Sequence, residues 1–522
     1  MARAVEAANA LPLDEYAADA TLASAVASLR RCAGRTGDKL RGLRVWMVNS
    51  TATGGGVAEL LPTQLAILRE LGVDARWAVI ETDRADFFAL TKTIHNMIHG
   101  AAPAAPLGAR DREVYDAVSR DNADALAQLV SPDDLVVIHD PQPLGAGALL
   151  KQMLGVRIVW RCHIGLDVPS PVASDAWEFL RPYAEHYDRS VFTAREYVPR
   201  FLADRAAIIH PTIDPLSHKN RGLSLHKLVG VLCDSALAVA HWPLVAPPFP
   251  EPARRLQPDG SFAPATEPED LGLIARPIIS QISRWDRLKG FVPLLDAFRL
   301  MKLERSRRQV RDERHRLRLD AARLVLAGPE AAGVKDDPEA LEVLAELTAR
   351  YRALEPEVQR DVAIVNLPMG RRKENALMVN ALQRCSDVVA QNSLREGFGL
   401  TVAEAMWKRK PVLGSATAFG VRQQVRDGLD GRLVDDPEDR ESLALLMHDM
   451  LADTNELEEL GRSAERRAHD EFLVFRELEK WLGLFASVRA TEAVRIEGNA
   501  AERVGLGWRD AVGQETRGDS EA

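Results

Sequence analysis

The sequence predicts an α/β fold made of two Rossmann-like, doubly wound domains that face each other across a cleft. Three observations carry this. Short apolar runs alternate with segments of helical periodicity between residues 44 and 193. The same alternation restarts at residue 277. Between the two series lies a proline-rich stretch, with eight of the chain's 29 prolines between Ala236 and Ala275. At about 150 residues per domain, 522 residues admit two to four domains.

The first series opens with RVWMVN (44–49), an apolar, β-branched run ended by polar residues, which reads as a buried strand. A turn, Ser50 to Gly56, leads into VAELLPTQLAILREL (57–71), whose apolar residues recur at helical spacing and stop at Gly72. Strands are expected at 73–80, 135–138, 156–162 and 190–193, and helices near 84–99, 111–130, 143–153 and 174–187. Strand–helix alternation implies a parallel sheet covered on both faces. In the second series, strands are expected at 277–283, 322–328, 362–367, 387–391 and 411–414, with helices between them. The domains are placed at 1–275, with a proline-rich linker or insertion near 236–275, and at 276–470. A helix at 471–490 is expected to pack back on the first domain. The polar tail 491–522 is expected to be disordered. The charged run 301–320 (MKLERSRRQVRDERHRLRLD) reads as a solvated helix with i,i+4 charge pairs.

Composition excludes several classes. With 67 basic and 76 acidic residues the formal charge is −9, which disfavours general binding to nucleic acid or anionic membrane. Cys32, Cys162, Cys233 and Cys385 are scattered and form no C-x-x-C pair, which argues against a disulfide scaffold or a cysteine zinc site and suits a reducing, cytoplasmic setting. No leader is expected from the first twenty residues, and no membrane span from any apolar run.

Four constellations sit where parallel strands should end, the place at which open α/β sheets bind ligands. The first is Thr53-Gly54-Gly55-Gly56, where glycines permit close approach and the next helix offers N–H groups. It is neither a phosphate-binding G-K-[ST] loop nor G-x-G-x-x-G, and that absence disfavours an ATPase and a nicotinamide-dependent oxidoreductase. The second is Trp160 to Gly165, with His163 at a strand end, near a second polar strand end at His139-Asp140. In the third, Ser283 to Gly290, Arg284 and Lys289 can clamp one diphosphate, Arg as a fork and Lys as a point charge. The fourth, Arg395 to Met406, holds Glu396 in a glycine loop and Glu404 two turns into the following helix, carboxylates suited to vicinal hydroxyls. Each of the first three also fits a bland role taken alone: a flexible turn, a structural histidine, a solvated basic loop.

REGFGLTVAEAMWK, with SRWDRLKG upstream, resembles the retaining GT-B glycosyltransferases, whose signature is a glutamate, seven residues and a second glutamate. NSTATGGGVAELL, TKTIHN, HDPQP, WRCHIG and PTIDPLSHKN are similar to the glycosyl-transferring trehalose synthases, and also to the retaining trehalose phosphorylases. The resemblance covers roughly residues 40–480. It implies a GT-B fold and a retaining hexosyltransferase that moves glucose from a nucleoside-diphosphate glucose, ADP-glucose or UDP-glucose, to free glucose, giving trehalose. It implies that Arg284 and Lys289 hold the donor diphosphate and that Glu396 binds the donor glucose, beside N–H groups of Gly397, Phe398 and Gly399. Leu400 and Thr401 meet the phosphates, Glu404 meets the ribose, and His163 meets the donor glucose near its 6-hydroxyl. Gly55 and Gly56 face the reacting centre. His163, Arg284, Lys289 and Glu396 are thus the catalytic set, and His139, Asp140, Lys92 and His95 the acceptor set. The resemblance requires no resident cofactor and no protein-held metal, although the diphosphate itself can carry Mg2+. Sugar and nucleotide-sugar are the expected partners, with a homodimer left open.

The sequence departs from the family pattern at the long 221–275 segment, at the expanded 301–320 segment, and after PVLG. There a glycine pair is usual, and this chain has Phe419-Gly420. Two rivals stay open: a phosphorylase using inorganic phosphate, and a nucleotide-sugar-binding protein without catalysis.

Overall fold

The structure is a computed structural model that describes residues 1–7, 10–52, 56–240, 247–267, 270–304, 309–330 and 338–503. Its first sheet contains β1 (Arg3–Val5), β2 (Arg44–Asn49), β3 (Asp74–Val79), β4 (Leu135–His139), β5 (Arg157–Cys162), β6 (Arg189–Phe192) and β7 (Ala206–Ile208), in the order β1-β3-β2-β4-β5-β6-β7. All pairings are parallel except β1 with β3. The second sheet contains β8 (Arg254–Leu256), β9 (Phe262–Pro264), β10 (Ile278–Ile282), β11 (Arg323–Pro329), β12 (Val362–Leu367), β13 (Val388–Gln391), β14 (Val412–Ser415) and β15 (Gly431–Val434). Its order is β15-β14-β13-β10-β11-β12-β8-β9, with only β8 and β9 antiparallel. The six parallel strands thus have the dinucleotide-fold order, reversing direction between β10 and β13. In the first sheet the reversal lies between β2 and β4. Strands such as β4 and β10 are buried at every position, as expected where helices cover both faces.

Several sequence expectations need correcting. Residues 225–273 do not close the first domain. Leu232, Leu237, Ala253, Ala265, Leu271 and Leu273 share a core with Ile278, Val325, Val365 and Met378 of the second. The described residues of this stretch are a built part of that domain: Pro252 and Pro258 flank β8 without interrupting it, and Pro264 ends the edge strand β9, where a missing N–H is tolerated. The charged segment 301–320 is not one solvated helix. Helices Phe291–Glu304 and Glu313–Ala321 are separate elements. Lys302 is 3% exposed and lies 2.8 Å from the Asp361 carboxylate. Its ammonium also donates to the carbonyls of Leu319 and Asp320. The last helix, Val474–Arg503, runs past residue 491, because alanine- and glutamate-rich sequence sustains helix where little hydrophobic periodicity remains, and the rest of the expected tail, 504–522, lies outside the described residues. That helix packs on helix Ala23–Leu40 of the first domain and buries Phe475, Leu478, Trp481 and Phe485. Beside it, Thr212 donates to Glu477 at 2.5 Å. No described helix is long and apolar enough to cross a membrane.

Candidate active site between the two domains

A cleft of about 480 Å3 lies between the two sheets, and its walls are the loops at the carboxyl ends of strands on both sides. The first domain supplies Gly56, Lys92, His95, Asn96, His99, Asp140 and His163, and the second supplies Arg284, Lys289, Arg395, Glu396 and Phe398.

The loop after β10 is fixed from three directions. Trp285 is fully buried and donates to the Pro329 carbonyl at 2.8 Å. The Asp286 carboxylate caps the short turn Arg287–Lys289 by accepting from Leu288 N at 2.8 Å. Gly290 ends that turn at φ 62°, where a β-carbon would lie 2.1 Å from the Asn392 carbonyl. Only glycine serves there. Lys289 is thereby held 13% exposed with its ammonium 2.5 Å from Glu396 Oε2, while Arg284 stays half-open to solvent at the rim. Lys289 and Glu396 follow β10 and β13, the strands that flank the reversal point of the sheet. Gln391 and Ser393 also reach Glu396 Oε2, each at 3.3 Å. Gly399 opens helix Leu400–Trp407 at φ 81° without a side-chain cap, so the first N–H groups of that helix stay available to an anion.

Glu404, on the same helix, is buried at 5% exposed and does not line the cleft. Its carboxylate is 3.7 Å from the ammonium of Lys219, which also lies 2.9 Å from Glu59 of the first domain. Lys219 was missed in the sequence, since nothing in PTIDPLSHKN marks its lysine as the partner of a motif glutamate. Thr401 too lies outside the cleft lining, and its carbonyl accepts from Gln383 at 3.5 Å.

On the opposite wall, Asp140 is a non-glycine residue at φ 65°, a conformation Asp tolerates better than most. The kink turns its carboxylate back to accept from His163 N at 2.9 Å, while its own N–H donates to the Arg161 carbonyl at 2.7 Å. Burial raises the Asp140 carboxyl to about 6, partly offset by the His163 N–H and the Arg161 charge. His163 is held well below the usual imidazole range, first by burial, then by Arg161 and His139. His139 is corrected from its expected role. It does not line the cleft but stands behind His163, Nδ1 to Nε2 at 3.1 Å with the rings stacked. His139 is the last residue of β4, and the positive φ of Asp140 breaks the strand there and turns the next side chain to the cleft.

Lys92 and His95 lie on one helix face with two residues not foreseen, Asn96 and His99, each four positions on from its predecessor. That i,i+4 spacing was the available signal. Burial lowers His99 to about 4 and pushes His95 well down, where nearby cations add to the effect. Both rings are therefore neutral hydrogen-bonding groups at pH 7. Gly56 opens helix Gly56–Glu70 and faces Leu400 across the cleft, whereas Gly55 lies outside the described residues. Among the described residues no cluster of three or more His, Cys, Asp or Glu side chains is placed to hold a metal ion.

A cation–carboxylate pair beside uncapped helix amides suits a sugar diphosphate, and neutral imidazoles with a carboxylate suit sugar hydroxyls. Residues 47–199 match the family model of the trehalose synthase N-terminal domain, and residues 267–467 match glycosyl transferases group 1. The chain is 35% identical to a trehalose synthase of Thermococcus litoralis over 84% of this chain and 89% of the relative. It is 26% identical to a trehalose phosphorylase of Pleurotus pulmonarius, over 87% of this chain and 58% of the relative. Among solved structures, a UDP-forming α,α-trehalose-phosphate synthase from Burkholderia xenovorans, in complex with glucose-6-phosphate, superposes with a TM-score of 0.62 at 17% identity. That alignment covers 85% of this chain and 100% of the other. The chain therefore belongs to the trehalose synthase family, and it is a hexosyltransferase of the GT-B fold.

Proposed function

We propose that this enzyme transfers glucose, with retention of configuration, from a nucleoside-diphosphate glucose to free glucose and so makes trehalose. The observation that carries the reading is the Lys289–Glu396 pair, 2.5 Å apart at the strand reversal of the second domain and facing His163 and Asp140 of the first. In this reading Lys289 and Arg284 take the charge that builds on the departing diphosphate. At roughly 4 Å and an effective dielectric near 20, each cation–phosphate contact contributes on the order of 4 kcal/mol before desolvation. Glu396 exchanges part of its contact with Lys289 for donor-glucose hydroxyls, and the first amides of the Leu400 helix meet the phosphates. Glu404 would meet the ribose once Lys219 gives way. The acceptor glucose lies against Asp140, Lys92 and His95 of the first domain, with Asn96 and His99 beside them. It attacks from the face the diphosphate leaves, and a departing phosphate oxygen takes its proton. Closure of the two domains excludes water, the competing acceptor. A cytoplasmic setting goes with this reading, since all four cysteines are free thiols.

The test is incubation with ADP-glucose and UDP-glucose in turn, each with glucose, followed by identification of the disaccharide and its anomeric linkage. A parallel incubation with trehalose and inorganic phosphate examines the phosphorylase alternative. Trehalose formed only from the nucleotide-sugar supports the proposal. Phosphate-dependent cleavage with no synthesis from a nucleotide-sugar overturns it.

A further inference from the structure

Phe419 stands where a glycine pair is usual, yet it does not enter the cleft. Its ring packs edge-on against Tyr197 of the first domain, centroids 5.4 Å apart. Arg422 lies over the outer side of that ring at 5.0 Å and reaches across to Asp167 at 2.8 Å. Gly420, the glycine that remains, fits directly under the catalytic loop: its N–H donates to the Glu396 carbonyl at 3.1 Å, and a β-carbon there would lie 2.6 Å from that oxygen.

Tyr197, in the turn Arg195–Tyr197 after β6, touches both walls of the cleft from behind. Its one hydroxyl hydrogen is shared between the carbonyls of Gly397 at 3.0 Å and Glu396 at 3.3 Å. Its ring lies so close on Gly165 that a β-carbon at 165 would be 2.2 Å from Tyr197 Cγ. Gly165 is two residues from His163. One side chain therefore spans the loop of the first domain that carries His163 and the loop of the second that carries Glu396. Burial, with Asp167 and Glu396 nearby, pushes the phenol well up, so it remains a donor across the working pH range.

We propose that Tyr197, backed by Phe419 and the Asp167–Arg422 ion pair, is a positioning residue that fixes the Glu396 loop against the His163 loop during transfer. The proposal rests on the reading that Glu396 holds the donor sugar. Its physical basis is that transfer tolerates little displacement of the reacting groups, so a loop freed by even one lost anchor slows the chemical step while leaving substrate affinity nearly intact. The phenol is suited to the task because its shared hydrogen goes to main-chain carbonyls, which hold the loop whatever the Glu396 side chain does on binding.

The experiment compares the wild type with Y197F, F419A and the double variant. Hydrogen exchange of the peptide spanning 396–399 is measured without substrate, and kcat, glucose KM, nucleoside-diphosphate affinity and the share of donor lost to water are measured with the donor that the wild type uses. Y197F should exchange at least tenfold faster at that loop and lose about tenfold in kcat, with KM and nucleotide affinity within twofold and a larger share of hydrolysis. The double variant should be no slower than the slower single variant, since both act through one contact. Unchanged exchange, or faster exchange with unchanged kcat, overturns the proposal. So does a uniform loss of kcat and both affinities together with a lower melting temperature, which marks a merely structural role. Activity of the wild type is established first. If none is found, the functional reading falls, and the exchange measurement alone decides whether Tyr197 anchors the loop.

Discussion

Lys289 and Glu396 are separated by 107 residues, yet their charged groups meet at 2.5 Å because β10 and β13, which precede them, are neighbours at the point where strand order reverses. The ammonium is thus largely withdrawn from solvent and oriented by a carboxylate, ready for the diphosphate of the proposed reaction. Such preorganisation is what makes a charge effective against a developing anion.

Replacing Lys289 or Arg284 by alanine should lower turnover by at least about a hundredfold, the scale of losing one charge-stabilising contact. The folded state should survive in R284A, whose side chain is 58% exposed. Turnover with the preferred nucleotide-sugar, beside a circular-dichroism melt, checks this. Normal rates in both variants would remove the diphosphate clamp.

The two motif glutamates should separate by assay. E404Q should weaken binding of the bare nucleoside diphosphate, since an amide loses part of the carboxylate's acceptor capacity toward ribose hydroxyls. E396Q should leave that affinity nearly unchanged and impair sugar transfer. Calorimetry with the diphosphate and a transfer assay distinguish them, and equal loss of affinity in both contradicts the division of roles.

Asp140 predicts a pH dependence with a definite sign. Its folded pKa of about 6 lies above the ordinary 3.8, so the protonated form is the one the fold favours. Its stabilising contribution is full below pH 3.8 and is lost as pH rises through 6. D140N, which keeps an acceptor for His163 N–H and tolerates the positive φ, should therefore gain in melting temperature over the wild type as pH rises from 5 to 8. If the carboxylate accepts from a glucose hydroxyl, kcat/KM for glucose should fall below about pH 6 in the wild type, and that limb should vanish in D140N. A melting-temperature difference independent of pH would contradict the buried, titrating carboxyl.

The Lys302–Asp361 pair should matter to stability and not to activity at the cleft. With the side chains 4% and 6% exposed, removing Asp361 leaves the Lys302 ammonium buried against main-chain carbonyls alone, whereas removing Lys302 leaves Asp361 with Arg276 at 3.6 Å and Arg323 at 3.9 Å. D361A should lose about 3 kcal/mol in urea unfolding, and K302A less, since two arginines still face Asp361. A loss under about 0.5 kcal/mol in both would place the pair among surface ion pairs.

The sequence by itself determined the strands and helices that build the two sheets and most of the loops that carry the chemistry. A parallel strand covered on both faces must be an uninterrupted apolar run, as in β4 and β10, and a glycine loop after such a run marks a ligand edge. The three-residue strands β1, β7, β8 and β9 left no such mark, because pairing holds them and their own pattern does not: β1 and β7 join the longer β3 and β6 at the sheet edges, and β8 joins β12 and carries β9. Lys302 reads as one more charge in a basic run, and only the fold around it brings Asp361 to its ammonium. His139 and Asp140 are adjacent in the chain, but the positive φ of Asp140 sends one behind His163 and the other into the cleft. Lys219 against Glu404, and Tyr197 against Glu396 and Gly397, join residues nearly two hundred positions apart. Periodicity records what each element buries along its own length. Which elements become neighbours is decided by strand order and domain docking, and only the tertiary structure holds that information.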